Sequence, residues 1–122
     1  MGFNMLPENA RVFLAEDNEA VRFFVKKSLE ETGHQVLVEA VSFEEAMEKI
    51  REAKEKRINV AVLDGSLPDN SSHGPKIAEA LRQAIPDIRI VALSGEEVNW
   101  GDKNLHKPED VSRVGEYVRN LT

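Results

Sequence analysis

At 122 residues the chain fits one compact domain and leaves no room for a second of ordinary size. It has no cysteine, which excludes a disulfide scaffold, a thiolate metal site and a cysteine nucleophile, and is compatible with a reducing, cytoplasmic setting. A net charge of -6 argues against a broad basic face for nucleic acid, and the apolar runs fall far short of a membrane span.

Positions 1–10 lack the basic start and long apolar core of a signal peptide, so they are expected to be a short leader before a domain at 11–122. From Arg11 onward short apolar runs alternate with amphipathic stretches. Val12-Phe13-Leu14-Ala15 reads as a first strand, closed by Glu16-Asp17. Val21, Phe24, Val25 and Leu29, spaced at three and four, predict a helix that a left-handed Gly33 would stop. Val36-Leu37-Val38 is the second strand. Ser42 and Glu45 suggest a capping box for a second helix with Ala46, Ile50 and Ala53 on its apolar stripe.

Val60-Ala61-Val62-Leu63 is unbroken by charge, as expected of a strand covered on both faces. A polar loop through His73 leads to Gly74-Pro75 and a third helix bearing Ile77, Ala78, Leu81 and Ile85. The fourth strand is expected at 88–93. The stretch 95–104, with two glycines and an isolated Trp100, has room for at most a short helix. Leu105 and His106 fall in a short fifth strand, and Asp110 is a candidate cap for a last helix with Val111, Val114, Val118 and Leu121. Alternating strands and helices of this kind favour right-handed parallel βαβ units, hence an α/β sheet of five strands with helices on both faces.

In such a sheet the polar residues that end the strands share one edge. Glu16 and Asp17 follow the first strand, Asp64 ends the third, Ser94 the fourth, and Lys107 follows the fifth. Open α/β sheets bind ligands at their carboxyl edge, where strand order reverses. Taken singly, each residue has an ordinary reading. Asp17 could cap the next helix, Glu16 sit solvated in a loop, Ser94 satisfy local backbone, and Lys107 be a surface charge. Their coincidence at one edge favours a site. Clustered carboxylates raise one another's pKa and call for a cation; an all-oxygen donor set suits a hard ion such as Mg²⁺. Lys107 would add a positive charge and Ser94 a hydroxyl donor for phosphoryl oxygens. His34, His73 and His106 are poor ligand candidates, the first two falling in expected turns.

These segments resemble the receiver domains of bacterial two-component response regulators, from Arg11 to Leu121. Val12 through Asn18 is similar to the family's first strand and acidic pair, and Asp64-Gly65-Ser66-Leu67-Pro68 to its acceptor aspartate and following proline. Val91-Ala92-Leu93-Ser94-Gly95 matches the strand ending in a hydroxyl residue, and Lys107-Pro108 the lysine and companion proline. The resemblance implies a flavodoxin-like, doubly wound sheet of order 2-1-3-4-5. It also implies Asp64 as phosphoacceptor, with Lys107 and Ser94 completing the reaction site. Mg²⁺ would be held by Asp17, Asp64, Glu16 and the Ser66 backbone carbonyl, Glu16 acting largely through water. The implied partner is a sensor histidine kinase or phosphotransfer protein, with an unspecified downstream protein; neither direct nucleic-acid binding nor membrane insertion is expected. Self-phosphorylation from a small phosphodonor and autodephosphorylation are the most enzyme-like activities implied.

Two departures stand out. The loop between Asp64 and Gly74 is longer and more polar than the family pattern. The spacing from Ser94 to Lys107 is well short of it, so the fourth helix is expected to be shortened or missing, and Asn104 stands where an aromatic switch residue is usual. The alternative function is a receiver-like interaction module that does not depend on phosphorylation; retention of the whole polar set weighs against it. A flavodoxin-like cofactor binder ranks lower, because the turn after the first strand is acidic and lacks a Gly-rich phosphate loop.

Overall fold

The computed structural model of the chain describes residues 10–65, 67 and 70–121. Its strands are β1 Arg11–Ala15, β2 Gln35–Ala40, β3 Val60–Asp64, β4 Arg89–Ser94 and β5 Lys103–His106. All pair in parallel, in the order β2-β1-β3-β4-β5. The helices are α1 Glu19–Glu31, α2 Phe43–Glu48, α3 Ile50–Glu55, α4 His73–Ala84 and α5 Val114–Arg119, with a 3-10 turn at Val111–Arg113. The topology is the expected flavodoxin-like one. No helix among the described residues is long and apolar enough to cross a membrane.

The period-two alternation of the strands builds two cores. Phe13, Ala15, Ala61, Leu63 and Ile90 pack on one face against Ala46, Ala53, Ile77 and Leu81 of α2, α3 and α4. Val12, Leu14, Val62, Val91 and Leu93 pack on the other against Val25 and Leu29 of α1 and Val114 and Val118 of α5. Every residue of β3 is buried, which accounts for its unbroken apolar run.

Several local signals act as the sequence suggests. Gly33 adopts φ 93° after α1, a conformation glycine reaches without a Cβ clash. Ser42 Oγ accepts from the Glu45 amide at 3.1 Å, while Glu45 returns to the Val41 amide at 2.7 Å, one residue earlier than in a standard capping box. The helix expected from there is interrupted at Lys49, which separates α2 from α3.

Other expectations are corrected. Phe24, one of the apolar residues whose spacing predicts α1, does not face the core: it is 51% exposed and forms an edge-to-face pair with Phe23 at 5.2 Å. It lies about 100° around the helix from Val25, and the inward position is taken by Ser28. Ser28 Oγ accepts from the Gly115 amide at 2.9 Å and donates to the Ser112 carbonyl at 3.1 Å, so a small polar residue joins α1 to α5. His34 is not a loosely held turn residue. It is buried, its Nδ1 accepting from the Ala10 amide at 3.1 Å and its Nε2 donating to the Gly115 carbonyl at 3.2 Å. Burial holds its pKa below the usual histidine value. His73 opens α4, its ring stacked on Phe43 at 4.2 Å and its Nδ1 bonded to the Leu67 carbonyl.

Positions 95–102 carry no helix. Gly101 packs against β4 there: a methyl group on it would lie 2.9 Å from the Ala92 amide nitrogen. The face that a helix would cover is thus closed by the connecting segment itself, and Ala92 is fully buried.

The α1–α5 contact has no spare volume at Gly115, where an added Cβ would fall 2.1 Å from Thr32 Oγ1 and 2.3 Å from the Ser28 carbonyl oxygen. Because one obstacle is backbone, Gly115→Ala is expected to lose about 2 kcal/mol or more of unfolding free energy. Urea denaturation measures this; an unchanged midpoint would contradict the close approach.

Candidate functional site

Strand register decides which side chains meet. Ala15 pairs with Leu63, Asp64 with Leu93, and Ser94 with His106. The ladder continues past the strand ends through Glu16 N to the Ala40 carbonyl (3.0 Å), Gly65 N to the Leu93 carbonyl (3.0 Å) and Lys107 N to the Ser94 carbonyl (2.8 Å). Glu16, Asp64, Ser94 and Lys107 are therefore brought to one carboxyl edge.

The Lys107 ammonium sits between two carboxylates, donating to Glu16 Oε1 at 2.9 Å and Asp64 Oδ1 at 3.0 Å. Glu16 is 1% exposed and Asp64 4%. Glu16 is thus no solvated loop residue; its other oxygen accepts from the Asn18 amide at 3.1 Å. Buried carboxylates at this depth need a cation, and breaking such a pair leaves an uncompensated charge. Lys107 keeps its proton: burial lowers its pKa, but Glu16 and Asp64 outweigh that and the net shift is upward.

One ammonium does not balance three carboxylates. Ligand oxygens of Glu16, Asp17 and Asp64 lie within 4.8 Å of one another. Burial, then the Asp64 charge, raise the Glu16 pKa from 4.5 to about 7 despite Lys107. Asp17 is also raised, by burial first and then by its contact with Asp64. Asp17 does not cap α1; Asn18 does, accepting from the Val21 amide at 2.9 Å. A hard divalent cation fits this donor set: it is all oxygen, and the excess negative charge is what such an ion would neutralise.

Ser94 lies beside the acceptor strand, and Gly65 is what lets it. A Cβ at position 65 would be 2.8 Å from both Cβ and Oγ of Ser94. The Ser94 hydroxyl accepts from the Glu96 amide at 3.0 Å, so here it does satisfy local backbone. That bond uses an acceptor lone pair and leaves its O–H as a donor. The peptide bond between Lys107 and Pro108 is cis. The Ser66 carbonyl, assigned as a metal ligand by resemblance, lies outside the described residues.

Asp110 does not cap the final helix. Its Oδ2 accepts from the His106 amide at 2.8 Å and its own amide donates to the His106 carbonyl at 2.8 Å, closing the turn that carries Lys107. Sequence reasoning missed this role because an Asp before an apolar run reads equally as a cap. Gly65 was visible only as part of a motif, since its contact with Ser94 exists only across paired strands.

The family model described as the response regulator receiver domain matches residues 12–109. The receiver domain from the hybrid histidine kinase CckA is 28% identical, with 91% of this chain and 97% of that chain covered and a TM-score of 0.74. A response regulator from Thermotoga maritima is 20% identical, over 93% of this chain and 97% of that one, at TM-score 0.73. A CheY-like receiver domain protein from Methanospirillum hungatei JF-1 is 21% identical, over 93% and 96%, at TM-score 0.70. Comparison with curated protein sequences returns no match. With most of its length matched by one family model, and with the fold of these receiver structures, the chain belongs to the response regulator receiver family, a family of phosphoacceptor signalling domains.

Proposed function

We propose that Asp64 accepts a phosphoryl group from the phosphohistidine of a sensor histidine kinase or phosphotransfer protein, in a Mg²⁺-dependent reaction, and that this changes partner binding. The observation carrying this reading is the Lys107 ammonium 3.0 Å from Asp64 Oδ1, beside the acidic cluster. An Asp64 carboxylate oxygen attacks phosphorus, a P–O bond forms, the P–N bond breaks, and the imidazole leaves with its electron pair and takes a proton. Lys107 offers a fixed positive charge to the oxygens of the transferring group, and its placement costs no rearrangement at the moment of reaction. Asp17 and Asp64, Glu16 through water, and the Ser66 carbonyl would hold Mg²⁺. When bound, the ion would supply charge neutralisation on the phosphoryl oxygens. The Ser94 O–H would turn to a phosphoryl oxygen and stabilise the modified state.

Incubation with a small phosphodonor and Mg²⁺, followed by intact-mass measurement, tests the acceptor. Wild type is expected to gain one phosphoryl group and Asp64→Asn none; an unmodified wild type, under conditions that modify a control receiver, favours the phosphorylation-independent module.

Metal titration separates the roles of the charged groups. Asp17→Asn removes a ligand and is expected to weaken Mg²⁺ binding. Lys107→Ala removes a competing positive charge, so its Mg²⁺ affinity should rise while phosphoryl transfer falls. A Lys107→Ala protein that binds Mg²⁺ more weakly would contradict this division.

The raised Glu16 pKa predicts a pH signature in chelator. A carboxyl whose pKa rises on folding binds more protons in the native state, so stability grows as pH falls from about 7 toward 4.5. His34 acts oppositely, its lowered pKa costing stability on acidification. The difference between wild type and Glu16→Gln removes the His34 contribution. That difference in urea midpoint should shift in favour of wild type across this window, and the gradient should shrink when Mg²⁺ is added. A flat difference would refute the assignment.

A further inference from the structure

We propose that Arg22 is a positioning residue for the acidic cluster: its guanidinium fixes the backbone of Glu16 and Asp17, and through it the carboxylates that would hold Mg²⁺. The inference rests on the reading of that cluster as a metal site and adds a residue outside it that sets its shape.

A carboxylate is held no better than the peptide that carries it. β1 ends at Ala15, so the carbonyls of Glu16 and Asp17 lie beyond the strand and need other partners. Arg22, near the start of α1, supplies one. Its Nη1 donates to the Glu16 carbonyl at 3.0 Å and, more weakly, to the Asp17 carbonyl at 3.5 Å. One planar nitrogen with two hydrogens thus spans two successive peptide units. The Asn18 amide closes the same loop on Glu16 Oε2 at 3.1 Å.

Arg22 is itself anchored away from the loop it holds. Its side chain is 20% exposed, and Nε lies 3.9 Å from Glu39 Oε1. The other Glu39 oxygen accepts from Lys26 at 2.7 Å. Glu39 belongs to β2, where it pairs with Leu14 of β1, so the guanidinium is referenced to the sheet. An arginine held only by an exposed ion pair would contribute little; this one joins a sheet residue to the metal loop.

Charge and positioning predict opposite signs. By charge alone, removing a cation from beside an acidic cluster tightens Mg²⁺ binding, as expected for Lys107. Removing a group that orients ligands weakens it, by 10–100-fold in typical metal sites.

Calorimetric titration with Mg²⁺, without phosphodonor, decides between them. Arg22→Ala is expected to bind Mg²⁺ about tenfold more weakly than wild type. Arg22→Lys keeps the charge and loses the planar pair of donors, so it should fall between the two. Amide exchange in chelator gives a metal-free readout: the Asn18 amide should exchange faster in Arg22→Ala, while that of Val62 in buried β3 stays as in wild type. Mg²⁺ affinity in Arg22→Ala equal to or above wild type overturns this inference alone. So does Arg22→Lys matching wild type, which decides the matter if Arg22→Ala does not fold, or Val62 exchange rising in step with Asn18. A wild type that binds no Mg²⁺ overturns it together with the metal-site reading.

Discussion

An ammonium group wedged between two buried carboxylates organises this end of the molecule. Glu16 and Asp64 stand at the ends of β1 and β3, adjacent strands, and each closes a run of apolar residues where a charge is costly to bury. Lys107 supplies the counter-charge from β5, two strands away from Asp64. Neighbouring strands are spaced about 4.8 Å apart, so its side chain must reach across the end of β4. The residues there are small: Ser94 ends β4 and Gly65 faces it with no room for a Cβ. Small residues at the end of the intervening strand and a long cation on the outer one are two aspects of the same requirement.

The turn carrying Lys107 is built to the same end. Asp110 holds both polar groups of the His106 backbone, fixing how the chain leaves β5 and where the lysine begins. On the other side, Asn18 rather than Asp17 caps α1, which leaves the Asp17 carboxylate for the acidic cluster. Within two adjacent residues, then, one side chain serves the helix and the other the site. That separation keeps the backbone's needs from competing with the chemistry.

Loss of the helix between β4 and β5 would ordinarily bare an apolar strip of sheet. Here the sheet is adapted to its absence. Ala92 is small enough to be covered by Gly101, the equivalent positions of β5 are Asn104 and His106, and Trp100 fills the space beside Gly74. Arg82, Asp102 and Asn104 replace the backbone bonds that helix would have made for itself with side-chain bonds that tie the connection to α4, β4 and β5.

What the sequence determined by itself was periodic or local. Short apolar runs marked the first four strands, three-and-four spacing marked the helices, and Gly33 and Ser42 acted where placed, because each depends on neighbours a few residues away. The gathering of Glu16, Asp17, Asp64 and Lys107 was legible too, since parallel strands put all their carboxyl ends on one edge. Tertiary structure alone decided what depends on pairing across strands and helices. It turned Phe24 outward in favour of Ser28, buried His34 between Ala10 and Gly115, and made Asp110 a brace rather than a cap. It also bound Asn104 to Gly101. A polar side chain chooses its hydrogen-bond partner by proximity, and proximity between distant segments exists only once the sheet has set its register.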